Sequence, residues 1–486
     1  MMQIDKDLLS SQEARNLADQ AYEAQLIWGK ASQEQVDRVC AAMAEAGYQA
    51  SDRLGRMATE ETGFGVAAHK KLKNELASRL LWESIRDVKT VGVINHDPQK
   101  RVYEIAWPMG VVAALTPSTN PTSTVMAKAI SAVKARDAIV FAPHPSAVNC
   151  SYAAAEMLQQ AAENAGAPAG LINCMRNISL SGTQELMKHR RVRVILATGG
   201  SGMVKAAHSV GKPAYGVGPG NVPAYVDRSA DLEKAARYIV SSKSFDYSLI
   251  CATEQSVVAD KPIADRLAQL MQANGAYFAD EKTANILRHL LFNPDGSMNV
   301  ATVGKSPQFL AQLGGFTIPA GTRVIVVRLN RVGPEEPLSR EKLTTVLGWY
   351  EEEGWEKGCE RCIGLIYFGG RGHSLVLHAT DQNVIMAFGL EKPVFRILVN
   401  TMSTLGAVGL TTGVMPSLTL GAGGEGGSVT GDNITVHHLF NIKRLAYEIT
   451  PPPDAAMVGS PISSGPTQQE LESIVKQVML EVLAQN

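Results

Sequence analysis

Neither sign of charge dominates this chain of 486 residues: 46 basic side chains stand against 47 acidic ones, a net of −1. Bulk electrostatics therefore favour neither nucleic acid nor an anionic membrane surface. No apolar run approaches the length and purity of a membrane span. The start, Met1-Met2-Gln3-Ile4-Asp5-Lys6-Asp7, is polar and lacks the apolar core of a secretory leader. Cysteine is scarce and scattered, with 6 residues at 40, 150, 174, 251, 359 and 362. The expectation is a reduced, cytoplasmic protein. Cys359-Glu360-Arg361-Cys362 has the spacing of a metal or redox pair, but no second pair or His partner accompanies it in pattern, so no metal site is expected.

What is present is enough apolar surface for a sizeable core, 45% hydrophobic, on a chain long enough for two or three subdomains. From Ser11 to Val88 apolar residues such as Val36, Val39, Cys40 and Met43 recur at steps of three and four, which predicts amphipathic helices. Residues 90–112 switch to alternation, predicting a hairpin. Strands are then expected at Val111–Leu115, Ala138–Phe141, Val192–Ala197 and Ala224–Val226. Helical patterns at Ser123–Ala135 and Ser151–Ala165 lie between the first three. This β-α-β alternation implies an α/β fold with a parallel sheet covered on both faces.

A second α/β unit is expected after Lys243, with strands at Val324–Val327, Ile363–Tyr367 and Phe395–Val399, and an extended return at Val436–Glu448. An isolated edge strand there is a liability, so a dimer or tetramer is expected. Residues 451–466 break into Pro-, Gly- and Ser-rich sequence that reads as a linker. Residues 467–486 resume order: Thr467-Gln468-Gln469-Glu470 is a capping box, and Leu471, Ile474, Val475, Val478, Met479, Val482 and Leu483 make one apolar face. A short tethered helix of this kind is marginal alone, and either a partner or its own subunit must cover that face. Its Glu- and Gln-rich polar face with a single Lys476 argues against a membrane.

Chemistry enters at Cys251, which sits at the end of Ser244-Phe245-Asp246-Tyr247-Ser248-Leu249-Ile250, just before the strand-like Ser256–Ala259. A thiol held there is either a nucleophile on a rigid frame or a small buried hydrophobe. Asn120 follows a buried strand at a Pro-bounded turn; its amide is either an oxyanion donor or a turn stabiliser. Thr198-Gly199-Gly200-Ser201-Gly202 follows a strand and opens a helix near Met203, so its backbone can approach a dinucleotide. His373, between Gly372 and Ser374, is either a base for an incoming thiol or a turn residue.

Taken in order, the turn Pro117-Ser118-Thr119-Asn120-Pro121, Phe141-Ala142-Pro143-His144-Pro145, Gly216-Val217-Gly218-Pro219-Gly220-Asn221, the Cys251 segment, Glu341-Lys342-Leu343, Gly372-His373-Ser374 and Phe440-Asn441-Ile442-Lys443 carry a resemblance. The chain resembles the aldehyde dehydrogenase superfamily over roughly residues 5–450, and within it the CoA-acylating branch that includes acetaldehyde and propionaldehyde dehydrogenases of bacterial microcompartments. The resemblance implies a Rossmann-type NAD/CoA-binding domain over 1–243 with an oligomerisation hairpin near 90–110. It further implies a catalytic domain over 244–434 and a return to the arm over 435–450. It also implies Cys251 as nucleophile and Asn120 as oxyanion donor. A nicotinamide dinucleotide, NAD, is expected against Thr116, Pro117, Ser118, Pro143, His144, Thr198, Gly199, Gly200, Ser201, Gly218, Gly220 and Glu341, the last near the nicotinamide ribose.

One departure matters more than the matches. Where hydrolytic members carry a Glu before paired glycines, this chain reads Tyr215-Gly216-Val217-Gly218-Pro219-Gly220. Without a base to activate water, a Cys251 thioester survives to meet the CoA thiol, so acyl-CoA is the expected product from acetaldehyde or propionaldehyde. A sulfonated aldehyde, an acyl-phosphate reductase and a non-catalytic assembly protein stand as alternatives. The linker and terminal helix resemble encapsulation peptides, which implies a shell or cargo partner inside a microcompartment.

Overall fold

The computed structural model describes residues 5–450 and 467–484; the linker expected at 451–466 lies outside the described residues. The helical layer is built as the periodicity predicts. Helices Lys6–Trp28, Gln33–Gln49, Ser51–Thr62 and Ala67–Glu75 follow one another. Ser32 caps the second through a capping box with Gln35. The layer buries Ala14, Ala18, Ala21, Val36, Val39, Cys40 and Met43 in one core with the first parallel sheet.

A hairpin of β1 (Val93–Asp97) and β2 (Val102–Pro108) leads into β3 (Val111–Thr116), β4 (Ala138–Pro143), β5 (Ile172–Cys174), β6 (Val192–Thr198) and β7 (Ala214–Val217). The last five make a parallel sheet in the order β5-β4-β3-β6-β7. Strand β3 is flanked by β4 on one side and β6 on the other, so the chain reverses direction across the sheet there. The crevice beyond the carboxyl ends of such neighbouring strands is where α/β sheets bind ligands.

The second sheet contains β8 (Val222–Val226), β9 (Glu254–Asp260), β10 (Ala276–Phe278), β11 (Val324–Arg328), β12 (Val346–Glu352), β13 (Leu375–His378) and β14 (Ile397–Val399), in the order β10-β11-β12-β9-β8-β13-β14. This corrects the expected boundary at residues 243 and 244. Strand β8 pairs in parallel with β9 and β13, and Ala235, Ala236, Ile239 and Val240 of the following helix bury in the second core. The crossover between sheets therefore lies between Val217 and Val222. Composition could not place it, because both sides are equally apolar and only pairing distinguishes them.

A second correction concerns Ile363–Tyr367, expected as a strand but lying inside the helix Gly354–Gly369. Cys359, Cys362, Leu365 and Ile366 fall on its buried face, so the helical period governs. At the far end, the extended return starts with a short 3-10 turn, Val436–His438, and becomes β15 (Phe440–Ala446). This strand pairs antiparallel with β2, Phe440 opposite Pro108 and Ala446 opposite Val102, giving an arm ordered β1-β2-β15. The terminal helix Gln468–Ala484 begins at the expected capping box. The Thr467 N–H donates to Glu470 Oε2 at 2.7 Å, and its Ile474, Val475 and Val478 are half exposed. No described helix is long and apolar enough to cross a membrane.

One buried ion pair ties the helical layer to the cysteine segment. Asp246 is fully buried; it takes Lys73 and Lys70 as ionic partners and accepts from the Val66 N–H at 2.7 Å. Its own N–H donates to His69 Nδ1 at 2.8 Å. Asp246, Tyr247 and Ser248 all have left-handed backbone, with φ of 48°, 51° and 71°. Each such residue costs about 1–3 kcal/mol unless its surroundings hold it. Burial pushes the Asp246 carboxyl upward, but Lys73 and Lys70 overcome it and hold its pKa below the ordinary value.

Removing this carboxylate leaves two buried lysines without their counter-ion. Asp246→Ala is expected to lower unfolding free energy by about 3–5 kcal/mol in denaturant titration. Because the folded pKa is depressed, the stabilisation is present above the unfolded carboxyl's pKa of about 4. It is lost as pH falls through the lower folded value, so the two proteins' stabilities should converge on acidification.

Candidate active site

A cavity of about 250 Å³ opens at the crevice between β3 and β6, and three parts of the chain line it. The first is the set of strand ends of the first sheet: Thr116-Pro117-Ser118-Thr119-Asn120 after β3, His144 after β4, Thr198-Gly199-Gly200 after β6, and Val217-Gly218-Pro219 after β7. The second is the turn Leu249-Ile250-Cys251 ahead of β9. The third brings Glu341, Leu343, Val408, Leu418 and Leu420 from later loops.

Asn120 stands at the N-cap of the helix Pro121–Lys134, with Pro121 at its first position, yet its side chain makes no capping bond. Turn stabilisation therefore does not account for it. Its Nδ2 donates instead to the Leu249 carbonyl at 3.1 Å and to Thr119 Oγ1 at 3.1 Å. Its Oδ1 accepts from Lys73 Nζ at 2.5 Å. The amide thus spans from the helical layer to the cysteine turn, with its donor edge on the cysteine side.

Cys251 is partly exposed at the cavity, whereas Cys40, Cys150, Cys174, Cys359 and Cys362 are buried. Burial and then the Glu341 carboxylate push the Cys251 thiol up to about 12, while Arg396 and the backbone N–H groups of Cys251 and Ala252 pull the other way. Behind the turn, Lys243 Nζ donates to Ser248 Oγ at 3.0 Å, to Gln255 Oε1 at 2.9 Å and to the Lys342 carbonyl at 3.1 Å. This buried cluster fixes the frame that carries the sulfur.

Glu341 accepts from the Gly220 N–H at 2.8 Å, and burial raises its carboxyl to about 7, against the pull of that N–H, Lys243 and Lys342. Asn221 holds the same region: its Nδ2 donates to the Ser339 carbonyl at 2.8 Å and the Leu365 carbonyl at 3.0 Å. Gly220 itself is required by close approach, since a Cβ there would run into the Cys251 carbonyl and lie 3.0 Å from His373 Nδ1.

The residues expected for a dinucleotide fit one. Gly200 is the N-cap of the helix Ser201–His208 and provides no side-chain cap, leaving the first-turn N–H groups available. A Cβ at Gly200 or Gly218 would meet nothing within 4 Å, so the backbone there is open to a ligand. Pro143 is buried at the end of β4, one residue before exposed His144.

Of the expected residues, Pro143 and Gly220 lie outside the cavity lining, and so does His373. His373 is 1% exposed and contacts Ser374 Oγ at 3.1 Å. Burial and then Arg396 lower its pKa to about 3, which makes it a poor proton acceptor at neutral pH. His373 lies behind Gly220, beside the cysteine turn, with its Nε2 buried. Residues that the sequence did not flag are Lys70, Lys73 and Asp246, together with the apolar lining Met203, Leu343, Val408, Leu418 and Leu420.

Gly216 lies in β7 close against the helix Ser201–His208: a Cβ there would lie 2.5 Å from Val204 Cγ1 and 2.6 Å from His208 Nε2, so a larger residue would require those side chains to shift.

Comparison with known proteins agrees with this geometry. The profile of the aldehyde dehydrogenase family matches residues 5–277. Aldehyde-alcohol dehydrogenase 2 of Entamoeba histolytica is 41% identical over 424 residues, 85% of this chain but 49% of that protein. The chain spans about half the length of such curated relatives. The succinate-semialdehyde dehydrogenase (acetylating) of Clostridium kluyveri is 37% identical over 434 residues, covering 89% of this chain and 95% of that one. Among solved structures, an acetylating aldehyde dehydrogenase from Geobacillus thermoglucosidasius superposes with a TM-score of 0.91 at 48% identity, covering 93% of this chain and 100% of its own. A propionaldehyde dehydrogenase from the Clostridium phytofermentans fucose utilisation bacterial microcompartment gives 0.81 at 28%, covering 88% and 96%. A propionaldehyde dehydrogenase from Rhodopseudomonas palustris, solved with bound CoA and an acylated cysteine, gives 0.80 at 27%, covering 89% and 97%.

The raised Cys251 pKa has a direct consequence for the free enzyme. Alkylation of Cys251 by iodoacetamide, followed by peptide mass spectrometry, is expected to accelerate about tenfold per pH unit from pH 7 to 9, since only the thiolate reacts. A rate that levels off below pH 9 would contradict the assignment.

Proposed function

The chain belongs to the aldehyde dehydrogenase family, and we propose that it is a CoA-acylating member, converting a short-chain aldehyde, CoA and NAD to acyl-CoA and NADH through a thioester on Cys251. One observation carries the reading: Cys251, Asn120 and the strand ends of a dinucleotide-type sheet line the same cavity, and the segment Tyr215–Asn221 beside it carries no glutamate to activate water.

The Cys251 thiolate adds to the aldehyde carbon, forming a C–S bond as the carbonyl electron pair moves to oxygen. Asn120, whose Nδ2 now donates to the Leu249 carbonyl and Thr119 Oγ1 beside the cysteine turn, and the backbone N–H of Cys251 are the proposed donors to that oxygen. A dinucleotide bound along Thr198-Gly199-Gly200 and Gly218 supplies the acceptor for the hydride that leaves the carbon. The resulting thioester is relieved by the CoA thiolate: a new C–S bond forms at the acyl carbon and Cys251 departs as thiolate. Glu341, with a near-neutral pKa, lies close enough to influence the Cys251 thiol and can hold a proton in this cavity.

NAD is the proposed dinucleotide on the family resemblance, and turnover with NAD and NADP at equal concentrations tests it, a preference for the 2′-phosphate overturning the choice. The apolar Val408, Leu418 and Leu420 support acetaldehyde or propionaldehyde over an aldehyde bearing a sulfonate. The β1-β2-β15 arm leaves Trp107 53%, Ile442 41% and Leu445 43% exposed, which supports its burial against another subunit in a homodimer or homotetramer. The half-exposed Ile474, Val475 and Val478 support the terminal helix as a docking segment for a microcompartment shell or fellow cargo, and hence cytoplasmic residence inside such a compartment.

Two outcomes test these proposals. Protein quenched during turnover with aldehyde and NAD but no CoA should carry the acyl mass on the Cys251 peptide. Adding CoA should discharge it to acyl-CoA, whereas free acid as the main product, or discharge by phosphate in place of CoA, would overturn the reaction. Deleting residues 451–486 should leave aldehyde oxidation within about twofold of the full chain, since none of the residues lining the cavity lies there. It should also abolish co-purification with shells; retained association would reject the docking role.

A further inference from the structure

We infer that Lys73 is a positioning residue for the reaction, fixing the orientation of the Asn120 amide so that its NH₂ group, and not its oxygen, faces the carbon attacked by Cys251. The inference rests on the proposed thioester chemistry and adds to it a residue outside the cavity lining.

An Asn side chain is nearly symmetric in shape, and turning it over exchanges a donor for an acceptor. At Asn120 that exchange would place a carbonyl oxygen beside a developing oxyanion, converting stabilisation into repulsion. Three contacts decide the orientation. Lys73 Nζ, which has only donors, stands 2.5 Å from Oδ1. The Leu249 carbonyl, which can only accept, stands 3.1 Å from Nδ2, and Thr119 Oγ1 stands 3.1 Å from the same nitrogen. A flipped amide would set its NH₂ against the ammonium and its oxygen against the Leu249 carbonyl, a double mismatch. The charged donor also draws electron density toward Oδ1, which strengthens the N–H groups on the opposite edge.

Lys73 is itself placed for this task by its surroundings. Its side chain is 3% exposed on the helix Ala67–Glu75, with Asp246 as ionic partner. Lys70, one turn away, donates to the Thr119 carbonyl at 3.0 Å, fixing the backbone next to Asn120, and shares Asp246 at 3.3 Å. Burial lowers the Lys73 ammonium to about 8 against the pull of Asp246, which leaves it mainly protonated at neutral pH. Asp246 retains Lys70 and the Val66 N–H if Lys73 is replaced, so the cysteine turn keeps two of its anchors.

A double-mutant cycle separates orientation of Asn120 from general support of the site. Removing an oxyanion donor costs about 100- to 1000-fold in turnover, so Asn120→Ala should lose that much. Lys73→Met should lose at least about tenfold in kcat in the otherwise native enzyme, yet less than about threefold when added to Asn120→Ala, because nothing remains to orient. Alkylation of Cys251 by iodoacetamide forms no oxyanion and should stay within about twofold of the native rate in Lys73→Met. Equal losses in both backgrounds, no loss in the native background, or a parallel fall in alkylation would overturn the inference. Lys73→Gln, which keeps an uncharged donor to Oδ1, should hold kcat within about threefold of the native enzyme, and a loss of about tenfold or more that persists in the Asn120→Ala background would overturn the inference whether or not Lys73→Met folds. Full activity in Asn120→Ala would instead refute the underlying oxyanion assignment, a distinguishable result.

Discussion

A carboxylate with no access to water, Asp246, holds the catalytic architecture together. On one side it takes the ammonium groups of Lys70 and Lys73 from the helical layer; on the other it fixes a run of three left-handed residues leading to Cys251. Ion pairs in such surroundings are weak contributors to net stability, because desolvation offsets most of the attraction. Their value here is geometric. The pair joins two sheets that each have their own core, and it sets the distance between the sulfur on one and the amide on the other.

The division of labour follows from that junction. The first sheet offers strand ends at its reversal point, with glycines where the backbone must stay open. The second sheet offers a turn whose curvature is held by the buried Lys243, which donates to Ser248 Oγ, Gln255 Oε1 and the Lys342 carbonyl. Where the chain crosses into the second sheet, Gly220 packs so closely against the Cys251 carbonyl and His373 that a single methyl group would push them apart. Reactivity is similarly divided. The same enclosure that makes the thiol reluctant to ionise would strengthen every donor aimed at the oxygen formed next to it.

Much of this was legible in the residues, and for identifiable reasons. Helices with apolar steps of three and four, and β3 and β4 with continuous apolar runs, announce themselves because burial on one or both faces dictates composition. Cys251 and Asn120 were marked by ordered motifs. The sheet boundary was not, because Val222–Val226 has the composition of either sheet and only hydrogen-bond partners assign it. Ile363–Tyr367 misled because a short apolar run suits a buried helix as well as a strand. Lys70, Lys73 and Asp246 were invisible for a different reason: in His69-Lys70-Lys71-Leu72-Lys73 buried and solvated lysines look alike, and their partner lies more than 170 residues away. The burial of His373 was equally hidden, since a histidine flanked by glycine and serine reads as surface turn.

The arm has an implication for how the polypeptide matures. Strand β2 emerges early, but the strand that flanks it, β15, is supplied by residues 440–446, so their register joins positions more than 300 apart. Until the ribosome has delivered nearly the whole catalytic half, Trp107 and its neighbours present an open backbone edge that any passing strand can occupy. Pairings of such sequence separation form slowly, and unpaired edges are where nascent chains go astray. The interval between translating β2 and translating β15 is therefore the period in which this protein most needs a chaperone's cover.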